Sequence, residues 1–338
     1  MKLSDFDYSL PKGLIAQYPV IKRDAARLMV VDRAKGSIEH RLFKDILDYL
    51  EEDDTLVLND TKVMRARLLG RKKTGGKVDI LLLEKRNAAD FTALIRPQDM
   101  RINEKIIFDE GSLEATLIDK GLVRFNTQDS DYIYSKGLMP LPPYIKRLPE
   151  KSDGIYYQTV FAKSKGAVAS PTAGLHFTEG LLSTIKKKGI NLAYITLHIN
   201  YATFKPVKEQ DILRHKMYRE YFEVKKAVLG LIDKTKKENK KVFAVGTTTC
   251  RVLETAAGLS KDRLRSFVKY KGWTDLYIYP GYKFKTVACL ITNFHLPRTT
   301  LFILVCAFAG RDLMFKVYQE AIDKKYRFYS YGDAMLII

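Results

Sequence analysis

The apolar and polar positions in the first half of the chain predict short extended segments. Seven apolar runs occur between Leu28 and about Phe125, namely LMVVD, TLVLND, KVDILLLEK, FTALIR, KIIF, LEATLI and LVRFN, separated by turn signals such as Thr74-Gly75-Gly76. Runs of this length at intervals of roughly ten residues are typical of antiparallel strands that close into a small barrel. The sequence therefore predicts a β-barrel here.

The pattern changes after the proline-rich stretch from Met139 to Tyr144. Helical segments then alternate with longer apolar strands, which is typical of an α/β domain. Thr178 is placed to cap one helix, and the strand KVFAVG turns into another helix at Gly246. We expect an α/β domain over residues 151–338, a smaller β-barrel domain over 56–150, and a segment over 1–55 that packs with the α/β domain.

The charge of the chain indicates the class of partner. Lys and Arg number 58 against 39 Asp and Glu, so the net charge is +19. Such a charge attracts polyanions, and it favours RNA or DNA as the partner. A lysine-rich surface without any such partner is the alternative. No long apolar segment occurs, since the run from Leu301 to Ala309 is too short for a bilayer span. We expect a cytoplasmic monomer that does not bind membranes.

Metal and disulfide chemistry have no support in the pattern of cysteines and histidines. Cys250, Cys289 and Cys306 are far apart in apolar surroundings, and no pair of histidines has metal-ligand spacing. The sequence therefore predicts no metal site and no disulfide framework.

One turn has the composition of an anion site. Gly246-Thr247-Thr248-Thr249 places backbone N–H groups and three hydroxyls at a predicted helix N-terminus, where a carboxylate or phosphate binds well. A capped helix after a tight turn is the structural alternative. Neither a dinucleotide fingerprint nor a P-loop occurs in the sequence.

Several polar residues end apolar runs in the second half of the chain. His176 lies in the segment SPTAGLHF, whose small residues allow close approach to a flat ligand such as a purine. His198 and His295 end strand-like runs, and Asp333, Glu254 and Asp60 are the carboxylates in the least surface-like surroundings. Each is a candidate for proton transfer. The alternative is a hydrogen-bonded structural role for the histidines and a salt bridge to Arg251 or Arg65 for the carboxylates.

Basic and aromatic residues alternate in two places, as they do on surfaces that bind nucleic acids. The candidate RNA-binding residues are Arg65, Arg67, Lys72 and Lys73 in the predicted barrel, with Tyr144 and Arg147 after it. A solvated charged face is the alternative.

Ordered motifs along the whole chain resemble one family, the S-adenosylmethionine:tRNA ribosyltransferase-isomerases of queuosine biosynthesis. The similar segments are DFDYSLP, LVLNDTKV, TGGKVDILLLE, MPLPPYI, YQTVFA, SPTAGLHFTE, TLHI, AVGTTTCRVLE, GWTDLYIYPGY, LITNFHLP and YRFYSYGDAMLI. The resemblance implies a β-barrel beside an α/β domain. It also implies that the ribosyl part of S-adenosylmethionine is transferred to 7-aminomethyl-7-deazaguanine at the tRNA wobble position and rearranged to epoxyqueuosine, releasing adenine and methionine.

S-adenosylmethionine is a consumed substrate in this family, so the resemblance implies no resident cofactor. His176, His295 and Asp333 lie on its motifs and are the expected proton-transfer residues, while Thr247, Thr248 and Arg251 are expected to hold the methionine carboxylate. The remaining expected substrate-binding residues are Pro171, Thr172, Gly174, His198, Gly246, Glu254, Tyr279, Gly281, Tyr282, Asn293 and Tyr331.

The chain departs from the family pattern at two motifs and at Cys289 and Cys306, which are expected to be packing residues. Asn200-Tyr201-Ala202 replaces a glycine-containing turn, and Tyr218-Arg219 replaces a His-Ser pair, so the resemblance implies no catalytic role for those two residues. Two other functions remain open from the sequence. A tRNA methyltransferase would lack its usual glycine-rich motif here, and a non-catalytic RNA-binding protein would not need His176, His295 and Asp333.

Overall fold

A computed structural model describes residues 1–201, 207–259 and 269–338. Its strands, in chain order, are β1 Arg27–Asp32, β2 Ser37–Leu42, β3 Thr55–Asn59, β4 Thr61–Val63, β5 Arg67–Lys72, β6 Lys77–Lys85, β7 Asp90–Arg96, β8 Lys105–Phe108, β9 Leu113–Asp119, β10 Leu122–Phe125, β11 Ser164–Ala167, β12 Asn191–Leu197, β13 Glu220–Lys225, β14 Val242–Val245, β15 Lys269–Thr274, β16 Cys289–Asn293 and β17 Ala334–Ile337. The α-helices are α1 Ser130–Ser135, α2 Asp153–Tyr156, α3 Glu179–Lys187, α4 Lys226–Lys237, α5 Thr247–Ala257, α6 Thr300–Ala309 and α7 Arg311–Asp323. Short 3₁₀ turns occur at Leu3–Phe6, Lys12–Leu14, Arg23–Ala25, Phe43–Tyr49, Asp109–Gly111, Thr172–His176 and Ile212–Arg214.

Nine strands form one mixed sheet in the order β15-β13-β12-β3-β14-β16-β17-β1-β2. Its central strands β12, β3, β14 and β16 are parallel, and the pairs β16–β17, β12–β13, β13–β15 and β1–β2 are antiparallel. Side chains of α4, α5, α6 and α7 fill the core on one face, and α3 with the Phe43–Tyr49 turn covers the other. Helices on both faces confirm the predicted α/β class.

Strands β5 to β10 close into a separate barrel in the order β10-β7-β6-β5-β8-β9. The chain enters this barrel through β4 and leaves it before β11, and these two short strands pair in parallel. The barrel is therefore inserted into the larger sheet region, and the predicted β-barrel is confirmed. The boundaries expected near residues 55 and 150 stay a prediction.

Two of the seven runs assigned to the barrel were placed wrongly. The runs LMVVD and TLVLND form β1 and β3 of the large sheet. Every residue of β3 is buried, whereas the barrel strands β6 and β9 alternate between buried and half-exposed positions. A continuous apolar run is typical of a strand covered on both faces, and this difference separates the two groups.

The predicted helix after Thr178 also formed as expected. The Thr178 hydroxyl accepts a hydrogen bond from the Leu181 amide at 3.1 Å, which satisfies one donor of the first turn of α3. Gly189 follows the helix with a φ of 82°, a conformation that glycine adopts without strain.

Candidate active site

A cavity opens at the carboxyl ends of β14 and β16. These strands are neighbours and parallel, so Gly246 after β14 and Asn293 at the end of β16 reach the same edge of the sheet. The cavity is lined by Tyr144, Ala169, Ser170, Pro171, Thr172, Ala173, Ile199, Gly246, Thr247, Thr248, Thr292, Asn293, Phe294, His295, Leu296, Thr299, Leu301, Tyr329 and Ser330. It brings together residues of six motif segments that are far apart in sequence, namely MPLPPYI, SPTAGLHFTE, TLHI, AVGTTTCRVLE, LITNFHLP and YRFYSYGDAMLI.

Asn293 joins the walls of the cavity. Its Oδ1 accepts a hydrogen bond from the Thr172 hydroxyl at 2.9 Å. Its Nδ2 lies 3.1 Å from Nε2 of His176 and also within reach of the carbonyls of Tyr329 (3.2 Å) and Asp333 (3.3 Å). An amide has one acceptor and two donor hydrogens, so Asn293 is fully engaged and rigid. It positions its neighbours and has little capacity left for a ligand.

His295 is the one histidine of the chain that lines this cavity. Its Nε2 lies 2.8 Å from the hydroxyl of Thr292, and the backbone on either side is held by Tyr318 and Tyr8, which bond to the His295 amide and carbonyl. Burial lowers the pKa of His295 to about 3, so its ring is neutral at pH 7. Its Nδ1 makes no hydrogen bond within the described residues and is the nitrogen left for a ligand.

The N-terminus of α5 forms a second wall. Gly246 precedes it with a φ of 90°, and no side chain caps the helix. The first amide with an acceptor inside the helix is that of Cys250, which bonds to the Gly246 carbonyl at 3.1 Å. The amides of Thr247 and Thr248 precede it on the cavity side, where helix geometry leaves them for an anionic group.

Aromatic side chains form a third wall. The rings of Tyr144 and Tyr329 lie 4.1 Å apart, and the Tyr144 hydroxyl is 2.5 Å from that of Ser330. Tyr329 has a φ of 74°, a conformation that is strained for a bulky residue. Backbone strain of this kind occurs most often at functional sites. The buried Ser170 hydroxyl on the same cavity has no hydrogen-bond partner among the described residues, which leaves it for a ligand or water.

His176 lies behind Asn293, in a smaller neighbouring cavity lined also by Arg23 and Tyr331. Burial lowers the pKa of His176 to about 4, and its ring packs 5.0 Å from that of Phe43. Its Nε2 is occupied by Asn293, so the structure gives it a supporting position for that amide rather than a place on the main cavity.

Asp333 does not line either cavity. Its two carboxylate oxygens accept hydrogen bonds from the backbone amides of Arg27 (3.0 Å) and Arg327 (2.8 Å). Burial raises the pKa of this carboxyl group, and the two amides oppose that shift. The carboxylate therefore ties the start of β1 to the loop before β17.

Two further predicted residues of α5 are engaged away from the cavity. Arg251 forms a buried ion pair with Glu220 and donates to the Leu276 carbonyl at 3.0 Å. Glu254 accepts hydrogen bonds from the amides of residues 285–287 and from the hydroxyl of Tyr282. Neither residue lines the cavity, and the expected contact of Arg251 with the methionine carboxylate stays a prediction.

The remaining predicted substrate residues lie at three other places. Tyr279, Gly281 and Tyr282 belong to the loop that Glu254 anchors, Gly174 fits closely against Thr159 and Phe161, and His198 lies beyond the end of β12. The predicted residues that line the main cavity are Pro171, Thr172, Gly246, Thr247, Thr248, Asn293 and His295.

The predicted RNA-binding residues divide into engaged and free side chains. Arg67 pairs with Asp79 at 2.7 Å, Lys72 pairs with Glu104 at 3.3 Å, and Arg147 forms two short bonds to the buried carboxylate of Asp153. Tyr144 lines the cavity instead of an outer surface. Arg65 and Lys73 are exposed and form no ion pair with any described residue.

Sequence reasoning missed Tyr329, Ser330 and Thr292 as cavity residues. All three lie inside the segments LITNFHLP and YRFYSYGDAMLI, but nothing in their spacing shows which side chains face a ligand. Of the altered turn, the Asn200 amide bonds to Glu220 at 3.2 Å, while Ala202 lies outside the described residues.

Comparisons with known proteins match the whole chain. The family described as Queuosine biosynthesis protein matches residues 3–337. The chain belongs to this family. It is similar to the S-adenosylmethionine:tRNA ribosyltransferase-isomerases of Sulfurihydrogenibium sp. (strain YO3AOP1), with 51% identity over 344 residues, and of Aquifex aeolicus (strain VF5), with 48% over 350 residues. In both comparisons all of this chain and all of the relative are covered.

A solved structure is similar as well. The crystal structure of S-adenosylmethionine tRNA ribosyltransferase from Thermotoga maritima matches with a TM-score of 0.58 and 38% identity, covering 99% of this chain and 100% of that one. Membership of the queuosine biosynthesis family and the fold of a barrel beside an α/β sheet are thus consistent across sequence and structure.

Proposed function

We propose that this protein of the queuosine biosynthesis family is an S-adenosylmethionine:tRNA ribosyltransferase-isomerase. It transfers the ribosyl moiety of S-adenosylmethionine to 7-aminomethyl-7-deazaguanine at the tRNA wobble position and isomerises it, giving epoxyqueuosine-tRNA, adenine and methionine. The observation that carries this function is the cavity in which Thr172, Thr247, Asn293 and His295 meet on one sheet edge.

The N-terminus of α5 is the proposed site of the methionine carboxylate. The amides of Thr247 and Thr248 lie at the positive end of the helix dipole, which favours a negative group by about 0.3–1 kcal/mol or more when partly buried. This proposal replaces the expected role of Arg251, whose charge Glu220 already neutralises.

His295 is the proposed proton-transfer residue. The sulfonium makes the C5′ protons of the ribosyl group acidic, and a neutral imidazole with a free Nδ1 can accept one of them. Loss of that proton lets the sugar ring open and the bond from C1′ to adenine break, after which the amine of the modified base attacks and methionine leaves. His176 and Asp333 act as positioning residues: Nε2 of His176 and the backbone carbonyl of Asp333 both contact the Asn293 amide, and the Asp333 carboxylate holds that backbone through the Arg27 and Arg327 amides.

The reaction takes its atoms from its two substrates, so we propose that no resident cofactor takes part. We also propose that the enzyme works as a cytoplasmic monomer without a metal. Among the residues that the structure describes, no helix has the length and apolar character to cross a membrane.

The direct test is to incubate the purified protein with S-adenosylmethionine and tRNA carrying 7-aminomethyl-7-deazaguanine. Free adenine and the mass of the digested nucleoside are then measured. Adenine release with formation of epoxyqueuosine is the expected result. Formation of S-adenosylhomocysteine would identify a methyltransferase instead, and tRNA binding without consumption of S-adenosylmethionine would identify a non-catalytic RNA-binding protein.

A further inference from the structure

A row of aromatic rings crosses the outer strands of the large sheet. His198 after β12, Tyr221 on β13 and Trp273 on β15 lie side by side; we call these three residues, with Arg219, the aromatic strip. The rings of His198 and Tyr221 are stacked at 5.8 Å with an angle of 19°, and those of Tyr221 and Trp273 meet at 5.6 Å. The guanidinium carbon of Arg219 lies 6.0 Å from the Trp273 ring.

The aromatic strip lies on the face of the sheet that α4 does not cover. On β13, Phe222 and Val224 are buried in the core that includes α4, and Tyr221, directly before Phe222, points to the opposite face. Tyr221 is directly paired with Trp273 in the antiparallel register, so their side chains share this face. Trp273 is 51% exposed, which is unusual for the largest apolar side chain.

One end of the aromatic strip meets the candidate active site. His198 is followed by Ile199, which lines the cavity. The His198 ring also bonds to the Thr61 hydroxyl at 2.8 Å and lies so close to Gly166 that a side chain there would clash with it. The aromatic strip therefore begins one residue from the cavity and runs outward across the sheet.

Basic side chains lie beside the same end. Lys62 on β4 and Lys165 on β11 are paired in register, and with Arg65 they line a cleft of about 470 Å³. Lys62 and Arg65 form no ion pair with described residues, whereas Lys165 contacts Asp131 at 2.7 Å. On the strip's own face, the carboxylate of Glu223 is paired with Lys271 at 3.8 Å.

We propose that the aromatic strip stacks unpaired bases of the tRNA anticodon loop next to the nucleotide in the cavity. Sequence-specific RNA recognition mostly uses unpaired bases stacked on aromatic and arginine planes, with lysines and arginines on the phosphates. The strip supplies the planes, and Arg219, Lys62 and Arg65 supply cations that form no ion pair with any residue the structure describes. The proposal rests on the proposed function, which places the wobble position in the cavity.

Trp273 makes this surface directly observable, because it is the only tryptophan of the chain. Titration of the unaltered enzyme with the substrate tRNA is expected to quench Trp273 fluorescence, since stacked bases quench an indole. Unchanged fluorescence at a tRNA concentration that saturates adenine release would overturn the proposal.

Substitution supplies the second measurement. Trp273→Ala is expected to raise the KM for tRNA about tenfold, while the KM for S-adenosylmethionine at saturating tRNA stays within about twofold. Trp273→Phe keeps an aromatic plane and is expected to retain most of the affinity. An unchanged tRNA KM in a folded Trp273→Ala enzyme would overturn the proposal, as would equal losses in the two variants.

The contribution of the Arg219 charge to tRNA binding is tested separately, with a matched control variant. Arg219→Ala is expected to weaken tRNA binding and to lower the salt dependence by about one phosphate contact. Lys237→Ala is the matched control, since Lys237 is an exposed residue of α4, on the opposite face of the sheet. Equal effects of the two substitutions on tRNA binding would mean that Arg219 contributes only the general attraction between a basic protein and RNA, and would overturn the proposal.

The two proposals fail in distinguishable ways. Adenine release without tryptophan quenching would remove the aromatic strip and keep the enzyme function. Quenching by tRNA without adenine release would contradict the proposed enzyme function. It would also contradict the assignment of the stacked bases to the anticodon loop, because that assignment places the wobble nucleotide in the cavity.

Discussion

The barrel and the sheet-edge cavity bury polar groups in different ways. The barrel interior is apolar, with Phe91, Phe108 and Phe125 at its centre, and the buried carboxylate of Asp90 is paired with Arg124 at 2.7 Å. The cavity instead buries a histidine, an asparagine and several hydroxyls, and the Ser170 hydroxyl among them has no partner within the part of the chain that the structure describes.

This difference indicates which region of the protein binds a ligand. A buried polar group without a partner costs free energy, so it persists where a ligand completes it. No such side-chain atom occurs on the barrel strands, all of which the structure describes. The barrel thus has the features of a stable module, and the sheet edge has those of a site.

The largest expected effect is on catalysis at the sheet edge. His295→Ala removes the proposed proton-transfer group and is expected to lower the rate of adenine release by about 10²–10⁴-fold. His295→Gln is the shape-conserving companion, and its thermal midpoint shows that the protein is still folded. Near-normal turnover in either variant would remove His295 from the mechanism and weaken the contrast with the barrel.

The next effect is on stability and concerns the buried ion pair. Arg251→Met removes the cation that balances the buried Glu220 carboxylate and is expected to cost about 3–5 kcal/mol of unfolding free energy, although Glu220 keeps the hydrogen bond from the Asn200 amide. Adding Glu220→Leu is expected to recover at least half of this loss, because it removes the unbalanced buried charge. Urea unfolding of the single and double variants measures both values, and an equal cost for the two would contradict the prediction.

Acid is expected to destabilise the sheet region before the barrel. Burial lowers the pKa of His176 to about 4 and of His295 to about 3, against about 6.5 in the unfolded chain. The unfolded state therefore binds more protons as the pH falls below 6.5, and stability drops by up to about 1.4 kcal/mol per pH unit for each histidine, down to about pH 4. Above pH 6.5 their contribution is constant.

The barrel contains no histidine, since the five lie at positions 40, 176, 198, 215 and 295. Urea midpoints between pH 7 and 4 for the unaltered protein and for His176→Gln provide the measurement. A flatter profile is expected for the variant, and an unchanged slope would mean that His176 is not responsible.

The smallest effect belongs to the barrel surface. The pair Arg67–Asp79 is bidentate but partly exposed, so Arg67→Ala is expected to cost at most about 1 kcal/mol. Urea unfolding beside the Arg251 variant compares an exposed with a buried ion pair in one protein. If Arg67→Ala lowered the free energy of unfolding as much as Arg251→Met does, the exposed and the buried ion pair would not differ in their contribution to stability.

The fold class and the motifs that reach the site could be predicted from the amino-acid sequence. Local signals did this: strand-length apolar runs, the Thr178 cap, and the glycine at the start of α5 each act within a few residues. The runs LMVVD and TLVLND, which were assigned to the barrel but form β1 and β3 of the large sheet, show what local signals cannot predict. A strand of the large sheet and a strand of the barrel differ in the elements that pack against them, and those elements come from distant parts of the chain.

Tertiary structure alone decided which motif residues face a ligand. Arg251, Glu254 and Asp333 were predicted to be site residues, but hydrogen bonds to distant parts of the chain engage their side chains. Arg251 bonds to a residue 31 positions away, Glu254 to amides 31–33 positions away, and Asp333 to amides 6 and 306 positions away. Tyr144 and Tyr329 reach the cavity by the same long-range folding, although 185 residues separate them. Spacing in a sequence reports local geometry, whereas the availability of a side chain depends on every element that packs against it.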